Sequence, residues 1–89
     1  MGRPGWRESD RARRRMRAFG EGVRQVRREK GVSQETLAFS SGLDRTFVSA
    51  VERGARNPSL LSLYALADAL DVDVRAFFAP DSQPGDDVP

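Results

Sequence analysis

SQETLAFSSGLDRTFVSAVERG, residues 33–54, carries two helix starts and two helix stops in one short stretch. Ser33 offers a hydroxyl that accepts a free backbone N–H of a helix opening at Gln34. That helix runs to about Ser41 with Leu37 and Ala38 inward, and Gly42 ends it. Asp44 stands ready to cap a second helix, Arg45 to Arg53, whose inward residues are Val48 and Val51 and whose stop is Gly54. Two short helices joined by a turn of Gly42 and the apolar Leu43 are the sequence form of a helix-turn-helix.

Outward from this stretch the pattern stays helical. From Asp10 to Lys30 the apolar residues Met16, Phe19, Val23 and Val26 recur at helical spacing, and the opposite face is almost all Arg, Glu and Gln. Ser9 or Asp10 caps the start, and Gly31 ends the helix in a left-handed conformation. Gly20 and Gly22 each cost up to about 1 kcal/mol inside a helix, which predicts fraying of its first turns. After the loop Arg53–Pro58, a fourth helix spans about Ser59 to Leu70, with Leu60, Leu63, Leu66, Ala67 and Leu70 as its buried stripe. Asp73 caps a last short helix, Val74 to Phe78, that closes the core with Phe77. The expected architecture is all-α: a compact five-helix domain over residues 10–78. A flexible arm at 1–9 precedes it, its Trp6 either a surface residue or folded back on the first helix. A disordered acidic tail at 79–89 follows. No strand and no internal repeat is visible.

At 89 residues the chain has room for one core. It contains no Cys and no His, which removes disulfides, zinc and haem ligation, and Cys–His or Ser–His nucleophilic chemistry. The acids are scattered, and Gly20–Glu21–Gly22 is a fragment of no phosphate loop. No catalytic residue, metal ligand, cofactor or small-molecule substrate is therefore expected. No stretch approaches a membrane span, and no apolar segment follows the charged N-terminus as in a secretory signal, so a cytoplasmic protein is expected. Charge is unevenly spread. Residues 1–30 hold eleven basic residues against four acids, whereas residues 61–89 hold one against six. Arg outnumbers Lys by 14 to 1. Either phosphate binding by planar guanidinium groups or the codon bias of a GC-rich genome explains that preference, but the bias does not explain the clustering.

The blocks Gly31–Ala38, Gly42–Ser49, Glu52–Arg53–Gly54 and Asn57–Leu60, in this order and spacing, resemble the XRE family of phage-repressor-like helix-turn-helix regulators. The likeness runs from about Phe19 to Phe78. The strings LDRTFVSAVERGARNPSLLSLY and LAFSSG are most similar to the small controller proteins of restriction-modification systems. The resemblance implies five helices and a homodimer on double-stranded DNA. The chain departs from the family pattern at Asp71, where Gly is common after the fourth helix and where Asp tolerates the left-handed conformation. It also departs in the Arg-rich extension before Phe19.

In such a fold the third helix enters the major groove and the second crosses the backbone. Arg45, Thr46, Phe47, Ser49 and Ala50 then face outward. Arg45 can fork onto guanine O6 and N7 or hold a phosphate. Thr46 and Ser49 can make single hydrogen bonds. Phe47 either meets a thymine methyl or sugar face, or packs partly on the second helix. Gln34, in the first turn of the second helix, suits a phosphate oxygen, and the resemblance implies that role. Arg56 and Asn57 suit the next phosphates. Arg53 either joins them or answers the helix dipole. Glu52 is an acid on a DNA-facing surface, and the family pattern pairs it with an Arg of the first helix, here Arg27, as a structural ion pair. Arg11, Arg13, Arg14, Arg15 and Arg17 either follow phosphates, enter a minor groove, or form a solvated helix face.

Leu61, Tyr64, Val74 and Phe78 exceed what one small core needs and suggest a two-fold interface, unless Tyr64 and Phe78 merely cover the edge of the monomer's own core. A dimer would set two recognition helices about 34 Å apart on a palindromic site. The leading expectation is a homodimeric, sequence-specific transcription regulator of the controller kind, acting on its own promoter. The rival is an antitoxin or protein-binding adaptor on the same fold.

Overall fold

The computed structural model describes residues 5, 6 and 9–78. The tail at 79–89, and the arm at 1–9 apart from Gly5, Trp6 and Ser9, lie outside the described residues. Four α-helices follow in order, α1 Asp10–Glu29, α2 Gln34–Ser41, α3 Arg45–Glu52 and α4 Leu60–Leu70, and a 3-10 helix Val74–Phe78 ends the domain. The described residues contain no strand.

The expected fifth α-helix is thus a 3-10 helix. Five residues are too few to repay α-helix nucleation, and 3-10 geometry suits short pieces. Asp73 still caps it: the Arg75 backbone N–H donates to Asp73 Oδ1 at 2.8 Å, and the Arg75 guanidinium donates to the same carboxylate at 3.0 and 3.2 Å. The bond from the Arg75 side chain, with that from its N–H, holds the exposed Asp73 carboxyl below the usual carboxylate range.

Serine caps place three of the starts. Ser9 accepts from Ala12 N–H at 3.1 Å, Ser33 from Thr36 N–H at 3.0 Å and Ser59 from Ser62 N–H at 3.1 Å. Asp44 holds the cap position of α3, but its side chain makes no cap bond. All four α-helices end with paired backbone bonds around a left-handed residue. After α2, Leu43 N–H donates to the Ala38 carbonyl at 3.1 Å and Gly42 N–H to that of Phe39 at 3.3 Å. After α4 the left-handed residue is Asp71, at φ 57°, and Val72 N–H reaches the Ala67 carbonyl at 3.0 Å.

The core gathers Phe19, Val23 and Val26 of α1, Leu37 of α2, Val48 and Val51 of α3, Leu66 and Leu70 of α4, and Phe77. Phe19 and Phe77 meet edge to face with centroids 5.6 Å apart. Leu60, expected in the buried stripe, is 65% exposed because it opens α4 at the domain edge.

α1 is continuous from Asp10 to Glu29, its first turns and its glycines included. A Cβ on Gly20 would strike the carbonyl oxygens of Val51 and Glu52, and one on Gly22 the Phe77 carbonyl oxygen. These two positions let α1 lie backbone to backbone on the end of α3 and on the closing 3-10 helix. Their intrinsic helix cost is offset by that approach.

Candidate nucleic-acid interface

Val48 and Val51 are buried and pin α3 to the core, which turns Arg45 and Thr46 into solvent at its first turn. Ser49 is half-buried and accepts from Arg53 Nη1 at 2.7 Å. Arg53, Arg56 and Asn57 are exposed along the C-terminal end of α3 and the following loop. One outward expectation needs correction. Ala50 is buried, 7% exposed. Phe47 is half-buried and packs on the core, and the Arg56 guanidinium carbon sits 5.0 Å from its ring centroid. The ring is thus partly packed and at the same time a platform for a cation.

Glu52 is the one buried charged residue among those described, its side chain 3% exposed. Arg27 meets it as a fork, Nε to Oε2 at 2.7 Å and Nη2 to Oε1 at 3.1 Å. Arg27 Nη1 also donates to the Val32 carbonyl at 2.8 Å, so one guanidinium joins α1, the α1–α2 turn and α3. A third member was not evident from the sequence. Gln34 Nε2 donates to Glu52 Oε1 at 2.9 Å. Its amide is turned onto Glu52, with one N–H hydrogen left over. The only local signal was the polar residue opening α2. Its bond spans eighteen positions, and spacing along the chain does not disclose it. Among the described residues, no buried side-chain N or O lacks a partner.

The other edge of the domain is apolar. On α4, Leu61 is 79% and Tyr64 48% exposed, and Leu60, not expected there, stands beside them. Phe78 is 58% exposed while its ring lies 5.2 Å from that of Phe19, so it covers the core edge and still presents a face. Val74 is half-buried against the core. Phe39 on α2 is 88% exposed. Helical spacing from the inward Leu37 and Ala38 already places it outside.

Among the described residues, no helix is long and apolar enough to cross a membrane, and no cluster of acids could hold a metal ion.

The chain belongs to the helix-turn-helix family, in its XRE-type branch of DNA-binding transcription regulators: the family model matches residues 23–77. Its relatives narrow the likeness further. It is 49% identical over 55 residues to the control protein C.BamHI of Bacillus amyloliquefaciens, covering 61% of this chain and 68% of that one. It superposes on the crystal structure of the restriction-modification controller protein C.AhdI from Aeromonas hydrophila with a TM-score of 0.72 and 52% identity, over 73% of this chain and 98% of that one. The controller protein C.Esp1396I, solved as a tetramer on its natural 35-base-pair operator, is similar at a TM-score of 0.66 and 38% identity, over 71% of this chain and 83% of that one. The chain is thus a helix-turn-helix regulator of the restriction-modification controller type.

Proposed function

We propose that the protein binds a palindromic DNA operator as a homodimer and through it controls transcription, its own gene included. The observation that carries this reading is the first turn of α3. Arg45 and Thr46 are exposed there, on a helix anchored by Val48, Val51 and the bridged Glu52. A helix held in that way can enter a major groove, and Arg45 can fork onto a guanine edge. Arg53, Arg56 and Asn57 follow the adjoining backbone, and the remaining N–H of Gln34 reaches a phosphate at the opening of α2. The exposed Leu61, Tyr64 and Phe78, joined by Leu60, form the two-fold contact. Their burial sets the two α3 helices about one DNA turn, roughly 34 Å, apart. The similarity to controller proteins, one of them solved on its operator, supports duplex DNA as the ligand.

The test is an electrophoretic titration with the duplex upstream of the protein's own gene, repeated across salt concentrations. Log affinity is expected to fall linearly with log salt, by about 0.9 per phosphate neutralised. Arg45→Ala is expected to cost roughly 1–3 kcal/mol of preference for operator over random duplex while leaving thermal stability unchanged. A flat salt response, or no retarded duplex at low salt, refutes the proposal.

A further inference from the structure

Between α1 and the C-terminal end of α3 lies an open cleft of about 560 Å³. Its cationic lining comes from Arg17 and Arg24 of α1 and Arg53 after α3, with the Arg27–Glu52 bridge as its floor. Gln34 and Ser49 also line it, so it is continuous with the surface assigned above to DNA. The bridge neutralises itself. Of the rest, Glu21 is the single acid, and it approaches Arg24 only to 3.8 Å. The cleft therefore keeps a positive surplus.

The cations are held on firm backbone. A Cβ on Gly54 would lie 2.8 Å from the Arg17 Cα and 3.0 Å from its nitrogen, so α1 rests directly on the turn that ends α3. One turn on, Gly20 lies against the Val51 and Glu52 carbonyls. Where the Arg-rich extension meets the family core, at Arg17, α1 is in this way fastened to the end of the recognition helix. Arg17 and Arg24 are seven residues apart and share one face of α1, whereas Arg11 and Arg15 lie about 120–160° round the helix.

We propose that this cleft takes a phosphate of the DNA backbone, with Arg17 and Arg24 as its ligands beside Arg53, so that α1 lengthens the footprint beyond the helix-turn-helix unit. The inference rests on the DNA-binding reading above. It separates the Arg-rich extension into two faces: the cleft face grips the duplex, and the Arg11–Arg15 face stays in solvent. The competing role for Arg17 and Arg53 is to answer the partial negative charge at the end of α3. That role would appear in stability and not in the salt response.

The experiment compares R17Q/R24Q with R11Q/R15Q, two variants of equal charge change, in operator titrations across salt, with thermal melts of each. R17Q/R24Q is expected to make the log–log slope shallower by about 1.8, two contacts' worth, and to weaken binding roughly tenfold while melting as the wild type does. R11Q/R15Q is expected to shift the slope by less than one contact. In phosphate-ethylation interference, R17Q/R24Q is expected to lose sensitivity at a backbone position that R11Q/R15Q retains. Equal loss in the two variants would show a diffuse field and overturn the proposal. So would a lowered melting temperature with an unchanged slope, which assigns the arginines to the helix end. Stabilisation by inorganic phosphate that needs Arg17 and Arg24, with an unaltered DNA footprint, would give the cleft to a free anion and also overturn it. A wild-type protein that retards no duplex fails at the earlier reading, and that outcome is visible before any variant is made.

Discussion

The two ends of the domain leave opposite things in water. On the side of α1 and α3 the cleft keeps a surplus of exposed cations, Arg17, Arg24 and Arg53, and the buried carboxylate of Glu52 is met by donors from both Arg27 and Gln34. On the side of α4 and the 3-10 helix the exposed large side chains are the apolar Leu60, Leu61, Tyr64 and Phe78, with acids such as Asp68 and Asp73 among them. An exposed guanidinium is well solvated and exchanges water for phosphate at little net cost, so its interactions are tuned by salt. An exposed leucine costs roughly 25 cal/mol for every Å² left uncovered, so its interactions are tuned by protein concentration. Two surfaces of one small core are thus governed by different solution variables, and each can be disturbed without the other.

The sharpest way to break that separation is at Glu52. Glu52→Ala leaves Arg27 with a side chain only 13% exposed and no counter-charge, at a cost of roughly 3–5 kcal/mol. Denaturant unfolding should show it, and the thermal midpoint should fall by more than about 10 °C. A loss under about 1 kcal/mol would mean that the bridge does not tie α1 to α3.

On the opposite side, Leu61→Ser removes roughly 1.5–3 kcal/mol of apolar burial per protomer from the two-fold contact. Sedimentation should then show monomer where the wild type shows dimer, with helical content and unfolding midpoint of the monomer unchanged. A variant that stays dimeric puts the contact elsewhere.

The smallest effect tests the joint between the two ends. Judged on helix propensity alone, Gly20→Ala should stabilise by up to about 1 kcal/mol. The carbonyls of Val51 and Glu52 reverse that sign, and a net loss of roughly 1–3 kcal/mol is expected on unfolding. A stabilised variant would show that α1 can lift from α3 without penalty.

Helix starts and stops were legible because they are local. Ser33 caps α2 and Gly42 stops it through atoms a few residues away, and Asp71 takes the left-handed role that its short polar side chain allows. What the sequence concealed was decided by distant backbone. Gly20 and Gly22 read as weak points in a helix, and only the approach of α3 and the 3-10 helix shows why no side chain fits there. Ala50 looks outward by spacing and is buried. At the interface, the residue types of the recognition face could be read, but not their partners. Phe47 under Arg56, and Gln34 on Glu52, are pairings set by how the helices cross.

The stacking of Arg56 on Phe47 has a consequence for the rate and tightness of any encounter. A long, rotamer-rich side chain surrenders roughly 0.5–1.5 kcal/mol of freedom when a ligand immobilises it. Arg56 has given up part of that freedom before a duplex arrives, because the aromatic plate beneath it already narrows its choice of rotamers. The loop after α3 is in that respect pre-set, and a larger share of each contact it makes is kept as affinity.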